Sequence, residues 1–289
     1  MSGALRLGSR VFGPDELAVM AIVNRTPDSF YDRGATFTDE AALAAVDAAV
    51  TSGADIIDIG GVKAGPGDQV STGEEIERTA GTVAAVRDRF PEIVISIDTW
   101  RAPVAVEAIA AGADLINDTW GGADPDLARV AARTGAGLVC AHAGGLRPRT
   151  RPHRTAYPDV VADVVGTVTH LATRARDLGV RADGILIDPA HDFGKNTYHS
   201  LELTRRLDEL VATGWPVLVA LSRKDFVGET LDLPPADRLT GTLAATAVAA
   251  WLGARVFRAH DVAATRQVLD MVASIRGDRP PAVARRALA

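Results

Sequence analysis

The chain has 289 residues, 47% of them hydrophobic and only 5% aromatic, enough for one large α/β barrel or two ordinary domains. Its formal charge of −6 argues against bulk binding to nucleic acid, and its one cysteine, Cys140, rules out an internal disulfide and fits a reducing cytoplasm. No apolar stretch of 18 residues offers itself to a membrane, and the first ten residues carry no secretory signal pattern.

In chain order, ALRLGSRVF (4–12) reads as a short hairpin that could plug the bottom of a barrel. Eight apolar β-type runs follow, near 18–23, 54–59, 93–97, 113–116, 137–141, 184–187, 216–221 and 254–258. Ala-rich stretches of helical spacing separate them, such as 40–53 and 102–112. Four helices close on Gly followed by Ala: Gly53, Gly112, Gly135 and Gly253, where glycine supplies a left-handed cap at little cost. Strand and helix alternating eight times without a Pro- or Ser-rich break predicts a (β/α)8 TIM barrel as a single domain over 1–275, with a flexible tail at 276–289. Ser71 and Glu74 form a capping-box pattern rather than a catalytic pair. Trp251 falls in an apolar helix, as core or interface; Trp100 and Trp120 follow strand ends and are candidates for pocket walls. The segment 244–253 is either a dimer contact or a helix packed on the barrel.

The strands end, in order, on Asn24, Asp58, Asp98, Asn117, His142, Asp188, Ser222 to Lys224, and Arg258 to His260. Any one of these alone is an ordinary cap or turn residue. Together they place polar groups around the carboxyl rim of a parallel barrel, where such folds keep their chemistry. Asp98, Asn117 and Asp188 offer acceptors and an amide to a flat heterocycle rich in N–H groups, and Lys224 a donor to its carbonyl. Arg258 and His260 offer positive charge to an anion, and Asn24 an oxygen that Mg²⁺ accepts alongside phosphates. That combination suits a heterocycle carrying a pyrophosphate. His142, His191, His199 and Cys140 have no metal-ligand spacing.

Seven ordered motifs, VNRTPDSFYDRG, DIIDIGG, ISIDT, INDTWGG, LIDPAHDFGKN, LSRKDFVG and FRAHDV, resemble the dihydropteroate synthase family over nearly the whole chain. The resemblance implies a TIM barrel, a homodimer, and a site for 6-hydroxymethyl-7,8-dihydropterin pyrophosphate, from which pyrophosphate leaves with the help of Mg²⁺ while p-aminobenzoate captures the pterin methylene. It implies that Asp98, Asn117, Asp188, Phe193 and Lys224 hold the pterin, with Asp98 and Lys224 the catalytic pair. It further implies that Asn24, Arg258 and His260 hold the diphosphate, Asn24 also meeting the metal.

The departures are concentrated. Where the family reads Glu-Ser-Thr-Arg-Pro-Gly, this chain reads Val62, Lys63, Ala64, Gly65, Pro66, Gly67. The Ser-Thr pair that helps enclose p-aminobenzoate and sulfonamides is gone, and so is the Arg that reaches toward the anion. In the first loop Arg25, Tyr31 and Arg33 replace smaller residues; strand five ends Ala141-His142-Ala143; and Ala190-His191-Asp192 precedes Phe193. The leading expectation is a diverged paralogue with little or no synthase activity, still able to take a pterin-like, sulfone or sulfonamide ligand. The alternatives are an active synthase, or a transferase in which Lys63, Arg25 and Arg33 greet a more anionic second substrate.

Overall fold

The computed structural model describes residues 3–26, 38–150 and 156–286. Two short strands, β1 (Leu5–Leu7) and β2 (Arg10–Phe12), pair antiparallel as an N-terminal hairpin. Gly8 turns it at φ +55°, where any Cβ would collide with the Asp114 carboxylate. Eight parallel strands follow: β3 (Ala18–Asn24), β4 (Ile56–Gly60), β5 (Val94–Asp98), β6 (Leu115–Asp118), β7 (Gly137–Ala141), β8 (Ile185–Asp188), β9 (Leu218–Ala220) and β10 (Val256–Ala259). Their order is β8-β7-β6-β5-β4-β3-β10-β9, and a parallel bridge between Ile187 and Val217 closes the ring. Helices cross between successive strands, from α1 (Asp39–Thr51) and α2 (Thr72–Arg89) through α5 (Val160–Asp177), α9 (Leu239–Trp251) and α10 (Val262–Arg276). The eight runs expected from the sequence are all strands of this barrel.

The twofold alternation of each strand sorts its side chains. Outward residues such as Val19, Ile57, Ile95, Ile116, Leu138, Ile187, Val219 and Phe257 join the helices in the larger core. Inward residues near the strand starts, among them Met20, Ile56, Val94, Leu115, Val139, Leu186, Leu218 and Val256, form a second core with Leu5, Leu7 and Phe12 of the hairpin. The hairpin therefore plugs the lower end of the barrel, as the sequence suggested. Arg255 fixes it there, its guanidinium donating to the carbonyls of Gly3, Phe12 and Gly13.

Two residues further along five of the strands, the same inward face changes character. Asp58, Ser96, Asn117, Asp188 and Arg258 stand directly above the apolar layer. Trp251 is 58% exposed near the end of α9, so it belongs to the surface rather than the barrel core. Among the described residues, no helix is long and apolar enough to cross a membrane.

Candidate functional site

Asp58, from the middle of β4, is fully buried and is the hub of the polar layer. It accepts hydrogen bonds from Ser96 Oγ (2.6 Å), Asn117 Nδ2 (3.2 Å) and Arg258 Nε (2.6 Å). Arg258 spans to the next layer, donating through Nη2 to Asp98 Oδ2 at 2.8 Å, while Thr119 donates to the other Asp98 oxygen at 3.0 Å. One guanidinium thus bridges two buried carboxylates, the planar fork meeting both in fixed geometry. Burial raises the Asp98 carboxyl above the usual carboxylate range, and the Arg258 charge opposes that rise.

On the far side, Asp188 accepts from the Ala190 amide at 2.7 Å and is raised by burial against the pull of Lys224. Lys224, at the N-cap of the short helix α8 (Asp225–Leu231), donates to the His191 carbonyl and lies 5.1 Å over the Phe193 ring. Burial lowers its pKa, while Asp192 and Asp188 act in the opposite direction. Phe193 stands edge-on to Trp120 at 5.3 Å, and Trp120 is 3% exposed. Trp120 is therefore a support behind Phe193. Trp100 stacks instead under the Arg101 guanidinium at 4.8 Å.

A cleft of about 280 Å³ opens above these groups. Asn24, Asp98, Phe193, Lys224, Arg258 and His260 line it, so six of the eight site residues expected from the sequence share one cleft. Asn117 and Asp188, at 2% and 5% exposure, are buried outside that lining, and the Asn117 amide is turned to Asp58. Asn24 faces Asp98 across Gly60: a Cβ there would lie 3.8 Å from both Asn24 Oδ1 and Asp98 Oδ2. His260 shares a 3.0 Å hydrogen bond between Nδ1 and Ser222 Oγ. Burial and then the Arg258 charge lower its pKa to about 4, so its ring is neutral at pH 7. Among the described residues, no group of three or more His, Cys, Asp or Glu side chains is arranged to hold a metal.

The rewritten loop forms the rim: Val62, Lys63, Ala64 and Gly65 line the same cleft. Three arginines hold that loop by its carbonyls: Arg78 at Gly61, Arg149 at Gly65 and Asp68, and Arg101 at Val70. Arg25, expected to face an anionic ligand, is 7% exposed and committed to the Arg78 carbonyl (3.0 Å) and the Asp39 carboxylate. Its backbone direction decides this, because the Arg25 amide pairs with the Gly60 carbonyl at 2.7 Å and the side chain leaves on the helix side. Tyr31 and Arg33 lie outside the described residues.

Sequence reading passed over one buried cation. Lys195 Nζ, 2% exposed, meets His142 Nδ1 (2.8 Å) and the carbonyls of His142 (2.9 Å), Ala190 (3.1 Å) and Phe193 (2.7 Å). His142 Nε2 bonds Asp163 at 2.8 Å. Burial, then the Lys195 charge, lowers His142 to about 4, so the neutral ring accepts from Lys195 and donates to Asp163. This assembly fixes the Ala190–Phe193 turn, whose Ala190 and Asp192 have φ of 48° and 69°. The signal that could have found it was the Lys two residues after Phe193 in LIDPAHDFGKN, opposite a histidine that ends a strand.

The family described as pterin binding enzyme matches residues 20–260. This chain belongs to that family. The "Inactive dihydropteroate synthase 2" of Mycobacterium leprae is 59% identical over 287 residues, covering 98% of this chain and 99% of that protein. The dihydropteroate synthase of Haemophilus influenzae is 38% identical over 252 residues, covering 87% and 91%. The crystal structure of Yersinia pestis dihydropteroate synthase in a sulfonamide drug complex superposes with a TM-score of 0.89 at 34% identity, covering 96% of this chain and 100% of that one. The barrel is thus shared with the Y. pestis enzyme.

Proposed function

We propose that this chain is a dihydropteroate synthase homologue that binds a pterin in the barrel but condenses it with p-aminobenzoate poorly or not at all. One observation carries the reading: the polar floor around Asp58, Asp98 and Arg258 is fully interlocked, while the rim above it is Lys63-Ala64-Gly65. The inactive status in the name of the M. leprae relative supports it.

In this reading Asp98 and Asp188 accept from the N–H groups of the heterocycle, Lys224 donates to its carbonyl or ring nitrogen, and Phe193 packs against it. Asp98 retains acceptor capacity beside Arg258 and Thr119, since each carboxylate oxygen takes two hydrogen bonds. As the pyrophosphate departs, carboxylates at one end and cations at the other stabilise the separating charges. The donor set fits a Mg²⁺ carried in on the diphosphate rather than one held by the protein alone, with Asn24 as its amide-oxygen ligand. The metal would neutralise charge on the leaving pyrophosphate. Because the Y. pestis structure holds a sulfonamide, a sulfonamide or sulfone is a reasonable weak occupant of the outer cleft here.

The protein is further expected to work in the cytoplasm as a homodimer. Val248 and Trp251 of α9 and Met271 and Ile275 of α10 are 47–61% exposed on two neighbouring helices, an apolar face that a second copy would cover.

The test is pyrophosphate release from 6-hydroxymethyl-7,8-dihydropterin pyrophosphate and Mg²⁺, with and without p-aminobenzoate, beside calorimetric binding of 6-hydroxymethylpterin. Pterin binding without dihydropteroate formation is expected. Release that rises with p-aminobenzoate and yields dihydropteroate would make this an ordinary synthase. Release without condensation would favour a different acceptor.

A further inference from the structure

The turn from Ala190 to Gly194 brings the Phe193 ring to the cleft and offers the His191 carbonyl to which Lys224 donates. Ala190, Asp192 and Gly194 are all left-handed there, at φ of 48°, 69° and 61°. An alanine in that region is strained, and persists only where its surroundings hold it. At Ala190 the hold is two-sided: the amide donates to Asp188 Oδ1 at 2.7 Å, and the carbonyl accepts from Lys195 Nζ at 3.1 Å. Lys195 also donates to the Phe193 carbonyl at 2.7 Å, so one buried ammonium grips the turn at two points.

That grip depends on the lysine's proton. An ammonium has three N–H donors, and Lys195 Nζ faces four acceptors: His142 Nδ1 and the carbonyls of His142, Ala190 and Phe193. A neutral amine has two donors and a lone pair, and the lone pair needs a donor opposite it. His142 supplies one only by moving its ring proton from Nε2 to Nδ1. That move would set a bare Nε2 against the Asp163 carboxylate, 2.8 Å away. Asp163 therefore fixes the tautomer, and the tautomer favours the charged lysine. The Asp163 side chain is 33% exposed on α5, so Asp163, His142 and Lys195 form a chain from the surface to the back of the ligand wall.

We infer that Lys195 is a positioning residue for the ligand of the barrel: its ammonium, kept charged through His142 by Asp163, holds Phe193 and the Lys224 anchor in their binding form. The inference rests on the pterin-binding reading for the identity of that ligand. Loss of the proton loosens the Ala190 and Phe193 carbonyls, lets Ala190 leave its strained conformation, and withdraws the wall. Burial, then the Lys224 charge, lowers Lys195 from 10.5 to about 7, against the pull of Asp188, Asp192 and Asp163. Three rings also face it: His142 from β7, His191 in the turn, and His199 of α6 (Thr197–Arg205). All three lie below 6.5, so none of them gains charge as pH rises past 7. Because the charged form is the one required, the hold is complete below pH 7 and is lost as pH climbs through it.

The test uses the full chain labelled with 5-fluorotryptophan, with calorimetric binding of 6-hydroxymethylpterin, from about pH 6 to 8.5. Trp120 stands edge-on to Phe193 at 5.3 Å, so its fluorine resonance, assigned with Trp120→Phe, reports the wall without any ligand. In the parent, pterin affinity falls about tenfold over that range, the loss of a charge-assisted contact, and the Trp120 line moves with a midpoint near 7. Lys195→Met binds about tenfold more weakly at pH 6, its Trp120 line fixed at the parent's high-pH position. Asp163→Asn keeps the parent's affinity at pH 6, but its amide accepts either histidine tautomer, so both midpoints move to lower pH. A lysine that merely supports the fold gives no such shift, and titration of the free pterin is common to all variants. Asp163→Asn decides alone if Lys195→Met does not fold. A parent line indifferent to pH, a parent midpoint in Asp163→Asn, or a folded Lys195→Met within twofold of the parent's affinity overturns the inference. A parent that binds no pterin at any pH overturns the pterin reading instead, and the Trp120 line still decides on Lys195.

Discussion

Asp58, in the middle of β4, and Lys63, just beyond its end, stand five residues apart, and their surroundings are opposite. Asp58 has no exposure and takes hydrogen bonds from β5, β6 and β10 together, so its partners come from across the barrel. Lys63 has no hydrogen-bond or ion-pair partner among the described residues and belongs to a loop that Arg78 and Arg149 hold by its carbonyls. The floor is specified by mutual dependence, because a buried charge that loses its partner remains in a medium that cannot solvate it. The rim carries no such constraint, and a residue there can change its chemistry without cost to the fold. A sequence can therefore lose one half of a two-substrate site while the other half stays intact.

Removing the central guanidinium tests that contrast hardest. Arg258→Met leaves Asp58 and Asp98 buried and facing each other, and should destabilise the protein by about 3–5 kcal/mol in urea denaturation. A loss below about 1 kcal/mol would mean that the floor is no more interlocked than the rim.

Acid should act next, through the buried histidines. Burial lowers His191 well below its ordinary 6.5, and His142 and His260 to about 4. Folded pKa values below the unfolded ones mean that the unfolded chain binds protons first as pH falls. Their contribution is complete above pH 6.5 and is lost as pH falls below it, down to about 4 for His142 and His260, at up to about 1.4 kcal/mol per pH unit for each ring. His191→Phe keeps the stacking on Phe226, 5.6 Å away, and removes one titrating ring. Its stability should fall less steeply than the parent's from pH 6.5 to 5; parallel curves would show that His191 titrates in the fold as it does in the unfolded chain.

The smallest effect on stability belongs to the rim. Lys63→Ser with Ala64→Thr and Gly65→Arg should change stability by less than about 0.5 kcal/mol, since a Cβ at Gly65 meets only Lys63 Cε at 3.7 Å. The same triple variant should gain p-aminobenzoate-dependent formation of dihydropteroate over the parent. A stability loss above about 1 kcal/mol would make the rim as interdependent as the floor.

The barrel was legible because its strands obey a short period: inward residues are apolar low in the barrel, in five of the eight strands they are polar two positions higher, and each run stops at a polar residue. The hairpin was legible for the same reason, with Leu5, Leu7 and Phe12 spaced to enter one core. What could not be read was direction around a bond. Nothing in NRTPDSF says that Arg25 turns back to Arg78 and Asp39, or that the Asn117 amide is turned to Asp58. Lys195 was missed because three of its four contacts are to main-chain carbonyls, which carry no residue-type signal, and the fourth is the side chain of His142, 53 residues away. Trp251 sits in an apolar helix, yet its face of that helix is turned to solvent, and the weak amphipathicity of the Ala-rich segment does not say which face is which.

The plug of Leu5, Leu7 and Phe12 makes the barrel a blind shaft with a single door. Molecules that share such a shaft must queue. Whatever settles on the floor enters first and leaves last, and anything seated at Lys63 stands in its exit. Occupancy of the rim should therefore lengthen the stay of the molecule beneath it, even where no bond ever forms between the two.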